Sequence, residues 1–297
     1  MGYRDYSTAK GHIVDTTGHG DFTTIAAALS AASSGQTIFV RPGTYAENLI
    51  LKTGVNITAY DCDAQGNVTI SGKLTATYSG NAVISGINLQ TNNDYALSIT
   101  GSNPTVVNLI NCTCTGLNNT VFNLSSSSSG AVISMLGGII NLETTGIAYH
   151  TMSSPGGINY LQTTILNGGS SKTLANNSAG GVSIQNCSCS GFFSNSSTGV
   201  IGISNCEFTS LLTSPFLQIN GTSTPSTSHN STYISAGTSA LITIGAGATL
   251  NLTHAHLDVG NINAVTGTGT LAYAFLSFAG SATGVSVSTL SPFATLI

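Results

Sequence analysis

Three segments of this chain are near-copies of one another: Val107-Asn-Leu-Ile-Asn-Cys-Thr-Cys114, Val182-Ser-Ile-Gln-Asn-Cys-Ser-Cys189 and Ile201-Gly-Ile-Ser-Asn-Cys-Glu-Phe208. Looser copies lie at 82–89, 138–142 and 158–165. Aligned, the six give a column of Ile87, Cys112, Ile140, Thr163, Cys187 and Cys206, with steps of 19 to 28 residues. A second column, two residues on, holds Leu89, Cys114, Leu142, Ile165, Cys189 and Phe208, all apolar. A strand-bearing unit this short cannot bury a hydrophobic face alone; stacking on its neighbours does so. The spacing predicts an all-β chain folded as a parallel β-helix. Each turn would lay a strand about 4.8 Å from the previous one, so that inward side chains line up in columns. A β-sandwich is the other architecture that short strands allow. Its tight hairpin signals are scarce here, Asn220-Gly221 being the clear one.

One segment breaks the strand pattern. Phe22, Ile25, Ala26, Leu29 and Ala32 make a single helical stripe, with Asp21 as the expected N-cap and Gly35 as the stop. A helix there would cover the open strand edge of the first turn. The expected organisation is a leader and capping helix over 1–35, a solenoid over 36–232, and a C-terminal β tip or assembly region over 233–297. The last contains the most aromatic stretch, with Tyr273, Phe275 and Phe278. These aromatic groups fall on both faces of a strand and predict a homotrimer that covers them.

Charge narrows the function classes. Six Lys/Arg and ten Asp/Glu in 297 residues make 5% charged, with 41% hydrophobic. Six cations against ten anions cannot build a nucleic-acid surface. The apolar content is too high for a solvating disordered chain. No run approaches 18 apolar residues, so membrane insertion is not expected. Met1 to Tyr6 carries no apolar core of the signal-peptide kind.

Asp21-Phe-Thr-Thr-Ile-Ala-Ala-Ala-Leu-Ser-Ala-Ala32, followed by Gln36-Thr-Ile-Phe-Val-Arg-Pro-Gly-Thr-Tyr-Ala-Glu-Asn48, resembles the opening of right-handed parallel β-helix proteins of the pectin-lyase-like type. Pectinesterases begin this way, and so do bacteriophage tail spikes and fibres. The resemblance spans 13–60 and implies a right-handed parallel β-helix with an N-terminal capping helix. It does not carry activity. The Gln-Asp-Thr-Leu and Gly-Arg-Pro-Trp motifs of pectinesterases are missing, and the chain has no Trp. The remainder, rich in Ser, Thr and Asn, is similar in composition to β-helical phage structural proteins.

Candidate chemistry is sparse. Glycoside hydrolysis needs two carboxylates facing one groove. After residue 100 only Glu143, Glu207 and Asp258 remain, and the first two are expected to point outward. Asp61, Asp63 and Asp94 form the best early cluster, and no residue is assigned a catalytic role. Cys-Thr-Cys and Cys-Ser-Cys put both sulfurs on one strand face, unlike a zinc turn. They are expected to be buried thiols, with Cys187 and Cys206 stacked on adjacent turns. His254-Ala-His256-Leu-Asp258 places i, i+2 and i+4 on one face of an assumed strand. At a threefold axis, His254 and His256 of three chains would offer six imidazoles to iron or a similar metal. This His-x-His resembles a metal-binding motif at the tips of some phage spikes and fibres. The plainer reading is an outward polar face, with no cofactor. His12, His19, His150 and His229 are isolated in sequence, and the Asn-x-Ser/Thr sequons do not predict glycosylation.

The expected function is a non-catalytic structural or adhesive virion protein, a phage tail spike or fibre binding a host-surface glycan. Its place would be the virion or an extracellular surface. The alternatives are a polysaccharide hydrolase or lyase and a non-viral, self-assembling surface filament.

Overall fold

A computed structural model describes residues 11–289 apart from 61–66, 92–94, 117–120, 127–129, 143–146, 152–157, 163–164, 177–179, 196–198, 211–216, 221–225, 236–239, 259–262, 275 and 279–280. Their strands form one 31-stranded sheet in which the pairings are parallel and link successive turns. The chain is a parallel β-solenoid with three faces. The first begins with Gly11–Val14, Thr37–Val40 and Asn56–Ala59. The second begins with Gly43–Tyr45, Val68–Ser71 and Asn88–Thr91. The third begins with Leu49–Ile50, Leu74–Ala76 and Leu97–Gly101. Alternation along each strand sends every second side chain inward.

Inward side chains stack over the length of the solenoid. On the second face Tyr45, Ile70, Leu89, Cys114 and Ile140 follow one another in register, all buried. Through the backbone of Leu166 the column continues to Cys189, Phe208, Tyr233 and Leu257, also buried. Phe208 stacks on Tyr233 at 4.8 Å between ring centroids and meets Phe193 edge-on at 5.6 Å. The Tyr233 hydroxyl donates to Ser228 Oγ at 2.8 Å, so these two buried hydroxyls satisfy each other.

Three members of the aligned columns, Ile140, Leu142 and Ile165, are misplaced. Cys112 pairs with Gly138, Cys114 with Ile140 and Gly116 with Leu142, two residues from the expected register. Ile165 pairs with Ile139 and Ser188, and Leu166 takes the column position. For Ile140 and Leu142 the cause is a corner. Gly137 and Gly138 have φ of 70° and 95°, and a Cβ on Gly138 would lie 2.0 Å from the Cys112 carbonyl oxygen. The glycine pair is therefore the bend, and the apolar positions begin after it.

The helix, α1, is Ile25–Ala31, shorter than the expected 21–33. Its N-cap is Thr24, whose Oγ1 accepts from Ala27 N at 3.3 Å. Asp21 instead accepts from Ile13 N at 2.8 Å, and Phe22 bridges to Val14 in extended backbone. Ile25, Ala28 and Leu29 are buried, whereas Ala26 is exposed. Glu47 completes the N-terminus by accepting from Ile25 N at 2.9 Å and Ala26 N at 2.8 Å. Lys52 Nζ closes the other end, donating to the Ala32 carbonyl at 2.6 Å. Negative charge at the first turn and positive charge at the last both complement the helix dipole. The helix packs on Gly11–Val14, Thr37–Val40 and Leu49–Ile50, at the first turn.

Residue 233 lies inside Thr232–Ser235, which pairs with Glu207–Ser210 on one side and His256–Asp258 on the other. Further strands extend the three faces as far as Ser286–Thr289. Tyr273 pairs with Leu252 and is buried. Phe275 lies outside the described residues.

Candidate functional site

The corner between the first and second faces repeats on successive turns and carries the most regular outer surface. Asn111, Asn186, Asn205, Asn230 and His254 occupy it with φ of 50°, 53°, 53°, 48° and 50°. Left-handed backbone costs an ordinary L-residue about 1–2 kcal/mol, and Asn is the side chain that tolerates it best after Gly. Four of these corner N–H groups donate to the next turn: Asn186 to Ser204 O, Asn205 to His229 O, Asn230 to Thr253 O and His254 to Ala274 O, at 2.9–3.0 Å. The side-chain amides form a second ladder outside the backbone. Asn205 Nδ2 donates to Asn186 Oδ1 at 3.2 Å, and Asn230 Nδ2 to Asn205 Oδ1 at 2.9 Å.

Small side chains line the inside of the bend. Cys112, Cys187, Cys206, Ser231 and Ala255 directly follow the corner residues and are buried. Cys187 and Cys206 stack as expected, with Cys187 N donating to Cys206 Sγ at 3.5 Å. None of the five described cysteines is in a disulfide. Burial pushes the Cys112 thiol up to about 11 and the Cys114 and Cys189 thiols well above the ordinary value. These are core thiols, held in the unreactive protonated form. Cys62 lies outside the described residues.

Outside the bend, one row holds Ser188, Glu207, Thr232 and His256, and the row across the corner holds Gln185, Ser204, His229 and Thr253. His254 and His256 do not share a strand. His254 is the left-handed corner residue after Thr249–Thr253, and His256 opens His256–Asp258. Only His256 and Asp258 stand on one strand face, and all three side chains are exposed. His229, isolated in the sequence, meets His254 edge-on with ring centroids 5.4 Å apart, and its Nδ1 is 2.8 Å from Thr253 Oγ1. Among the described residues no group of three His, Cys, Asp or Glu side chains is placed to hold a metal ion.

The described carboxylates are dispersed. Glu207 and Asp258 are exposed on the second face, two turns apart. Glu47 caps α1, Asp21 holds Ile13 N, and Asp15 pairs with Arg41 at 3.2 Å. Asp61, Asp63, Asp94 and Glu143 lie outside the described residues. A groove of about 450 Å³ runs between α1 and the third face, lined by Ala26, Leu29, Asn48, Ile50 and Lys52. Among the described residues that line it there is no carboxylate. The corner instead offers neutral donors and acceptors in parallel rows. The constant Asn of the three near-copies was its sequence signal, but nothing in the spacing marked that Asn as a left-handed corner.

The class that this geometry defines is the parallel β-helix protein. No protein-family model matches the chain, and no curated protein does. Among solved structures it is similar to the Agl-KA catalytic domain, with a TM-score of 0.51 and 11% identity over 89% of this chain. It spans 64% of that chain, less than two thirds of its length. A pectin methylesterase from carrot aligns over 96% of this chain and 88% of its own, at 14% identity and a TM-score of 0.43. The Streptococcus pneumoniae surface protein and adhesin PfbA aligns over 89% of this chain and 92% of its own, at 9% identity and a TM-score of 0.46. At such identities the likeness is one of fold. No helix among the described residues is long and apolar enough to cross a membrane.

Proposed function

We propose that the chain is a structural and adhesive rod that binds a host-surface glycan, in the manner of a phage tail spike or fibre. The reading places it on a virion or another extracellular surface, as a homotrimer. The observation that carries it is the amide ladder of Asn186, Asn205 and Asn230, flanked by rows of hydroxyl and amide side chains. Successive rungs stand about 4.8 Å apart on a rigid backbone. A glycan is an uncharged array of hydroxyls, and a pre-ordered row of neutral donors and acceptors binds it without losing side-chain entropy on contact.

Binding of surface polysaccharides to the full chain, measured on a glycan array, tests the reading. Asn205→Gly and Asn230→Gly keep the left-handed corner and remove the amides, so they should lose binding while remaining folded. Binding unchanged in both variants would remove the ladder from the site. Mass measurement in solution should give three chains, and a monodisperse monomer would overturn the trimer.

A second reading, a polysaccharide hydrolase or lyase, draws on the likeness to a catalytic domain of the same fold. Release of reducing ends from a glycan, lost in Asp61→Asn, Asp63→Asn or Asp94→Asn, would select it. Regular end-to-end fibres in electron micrographs of the purified chain would select the self-assembling filament.

A further inference from the structure

The amide ladder ends on an imidazole, and a second imidazole from the preceding turn stands beside it. We propose that His229 and His254 together bind a borderline-soft divalent cation of the zinc, nickel or copper class, one ion per chain. The geometry fits. At metal–nitrogen distances of about 2.0–2.1 Å, two imidazoles in a tetrahedral shell have ring centroids about 5.2 Å apart. His229 and His254 stand at 5.4 Å, with an interplanar angle of 81°. Both rings are exposed, and turning the one that presents its face would bring a nitrogen of each toward one ion between them.

The surroundings suit a ligand pair. His254 is fixed by its left-handed corner and by its N–H bond to Ala274 O at 3.0 Å. His229 is oriented by Thr253 Oγ1, 2.8 Å from Nδ1. An ion selects the tautomer in which Nδ1–H donates to that hydroxyl, which leaves the Nε2 lone pair for the metal. This is the outer-shell arrangement that orients ligating histidines generally. With two protein nitrogens, the remaining coordination positions belong to water. Because the two residues come from consecutive turns, a bound ion clamps those turns together. The site is complete within one chain, unlike a set of His254 and His256 gathered at a symmetry axis.

Calorimetric titration of the untagged full chain with zinc or nickel tests this. Saturable binding of one ion per chain is expected, together with a zinc-dependent rise in melting temperature. His254→Asn continues the Asn ladder at a corner that favours Asn, so it should fold normally yet lose both the binding and the rise. His229→Gln should do the same, and Thr253→Val should weaken binding by about ten- to a hundredfold. His256→Asn should leave binding unchanged. No saturable binding, binding that survives both His229→Gln and His254→Asn, or one ion per three chains that depends on His256 and not on His229 would each overturn the proposal.

Discussion

Asn205 donates its side-chain amide to Oδ1 of Asn186, 3.2 Å away on the preceding turn, and both residues hold a φ of 53°. One residue type thus meets two demands at the same corner. Its backbone accepts the left-handed bend, and its side chain bonds the copy of itself one turn away.

Glycine at position 205 should separate these roles. Asn205→Gly keeps the bend and removes two exposed amide bonds, so stability should fall by about 1 kcal/mol. Asn205→Val adds a β-branched residue at positive φ and should cost a further 1–2 kcal/mol or so. Urea denaturation measures both. Equal stability of the two variants would show that strain does not select Asn here.

Ile140 should not tolerate a charge. Ile140 is buried in the second-face column, so Ile140→Asp should abolish folding, because an unpaired buried carboxylate costs several kcal/mol or more. Circular dichroism of the variant checks the register directly. Phe208→Ala, in the same column, should cost about 3–5 kcal/mol.

Glu47 ties the second face to the start of α1. Glu47→Ala frees Ile25 N and Ala26 N and should cost about 1 kcal/mol, as loss of an N-cap does. Hydrogen exchange at those two amides should speed up in the variant. Deleting 1–35 removes α1 and Gly11–Val14 together and exposes the edge of Thr37–Val40, so the product should aggregate. A soluble deletion variant with unchanged circular dichroism would show that the cap is dispensable.

Asp15 sets an acid limit. Its Oδ1 accepts from the Thr17 hydroxyl at 2.6 Å and from Thr17 N at 2.8 Å, and Oδ2 pairs with Arg41. The Thr17 bonds first, and the Arg41 charge after them, hold this carboxyl below the ordinary 3.8. The folded state therefore binds the proton less readily than the unfolded chain. The stabilisation is fully present above the unfolded value and is lost as pH falls through the lower folded one. Calorimetry from about pH 5 to pH 2 should show a steeper drop in melting temperature for the native chain than for Asp15→Asn.

The corner thiols should be silent. In a Cys62→Ser variant the native chain should give no rapid reaction with a thiol reagent at pH 8, and all five remaining cysteines should react in denaturant. Prompt reaction of any of them in the native state would show that the corner opens.

Much of the fold was legible because a solenoid repeats its demands. Leu89, Cys114, Cys189 and Phe208 stood in one column by sequence spacing and stand in one column in space. The stripe of Ile25 and Leu29 marked α1 and its buried side. Its start was less visible, since Asp21 and Thr24 are both good caps and the strand edge at Ile13 claims Asp21. The displaced pair, Ile140 and Leu142, followed from matching apolar letters across a turn whose bend had moved onto Gly137 and Gly138.

The candidate site was legible only in part. The Asn that precedes Cys112, Cys187 and Cys206 was a constant of the repeat, yet its outward ladder was not apparent. His254 and His256 stood out as a local pair, while the imidazole that meets His254 is His229, 25 positions earlier. The sequence by itself determined the class of fold, because apolar side chains recurring once per turn are buried only when the turns stack. The tertiary structure alone decided which side chains meet across turns. Turn length varies, and a shift of one residue in a β ladder reverses every side chain from inside to outside.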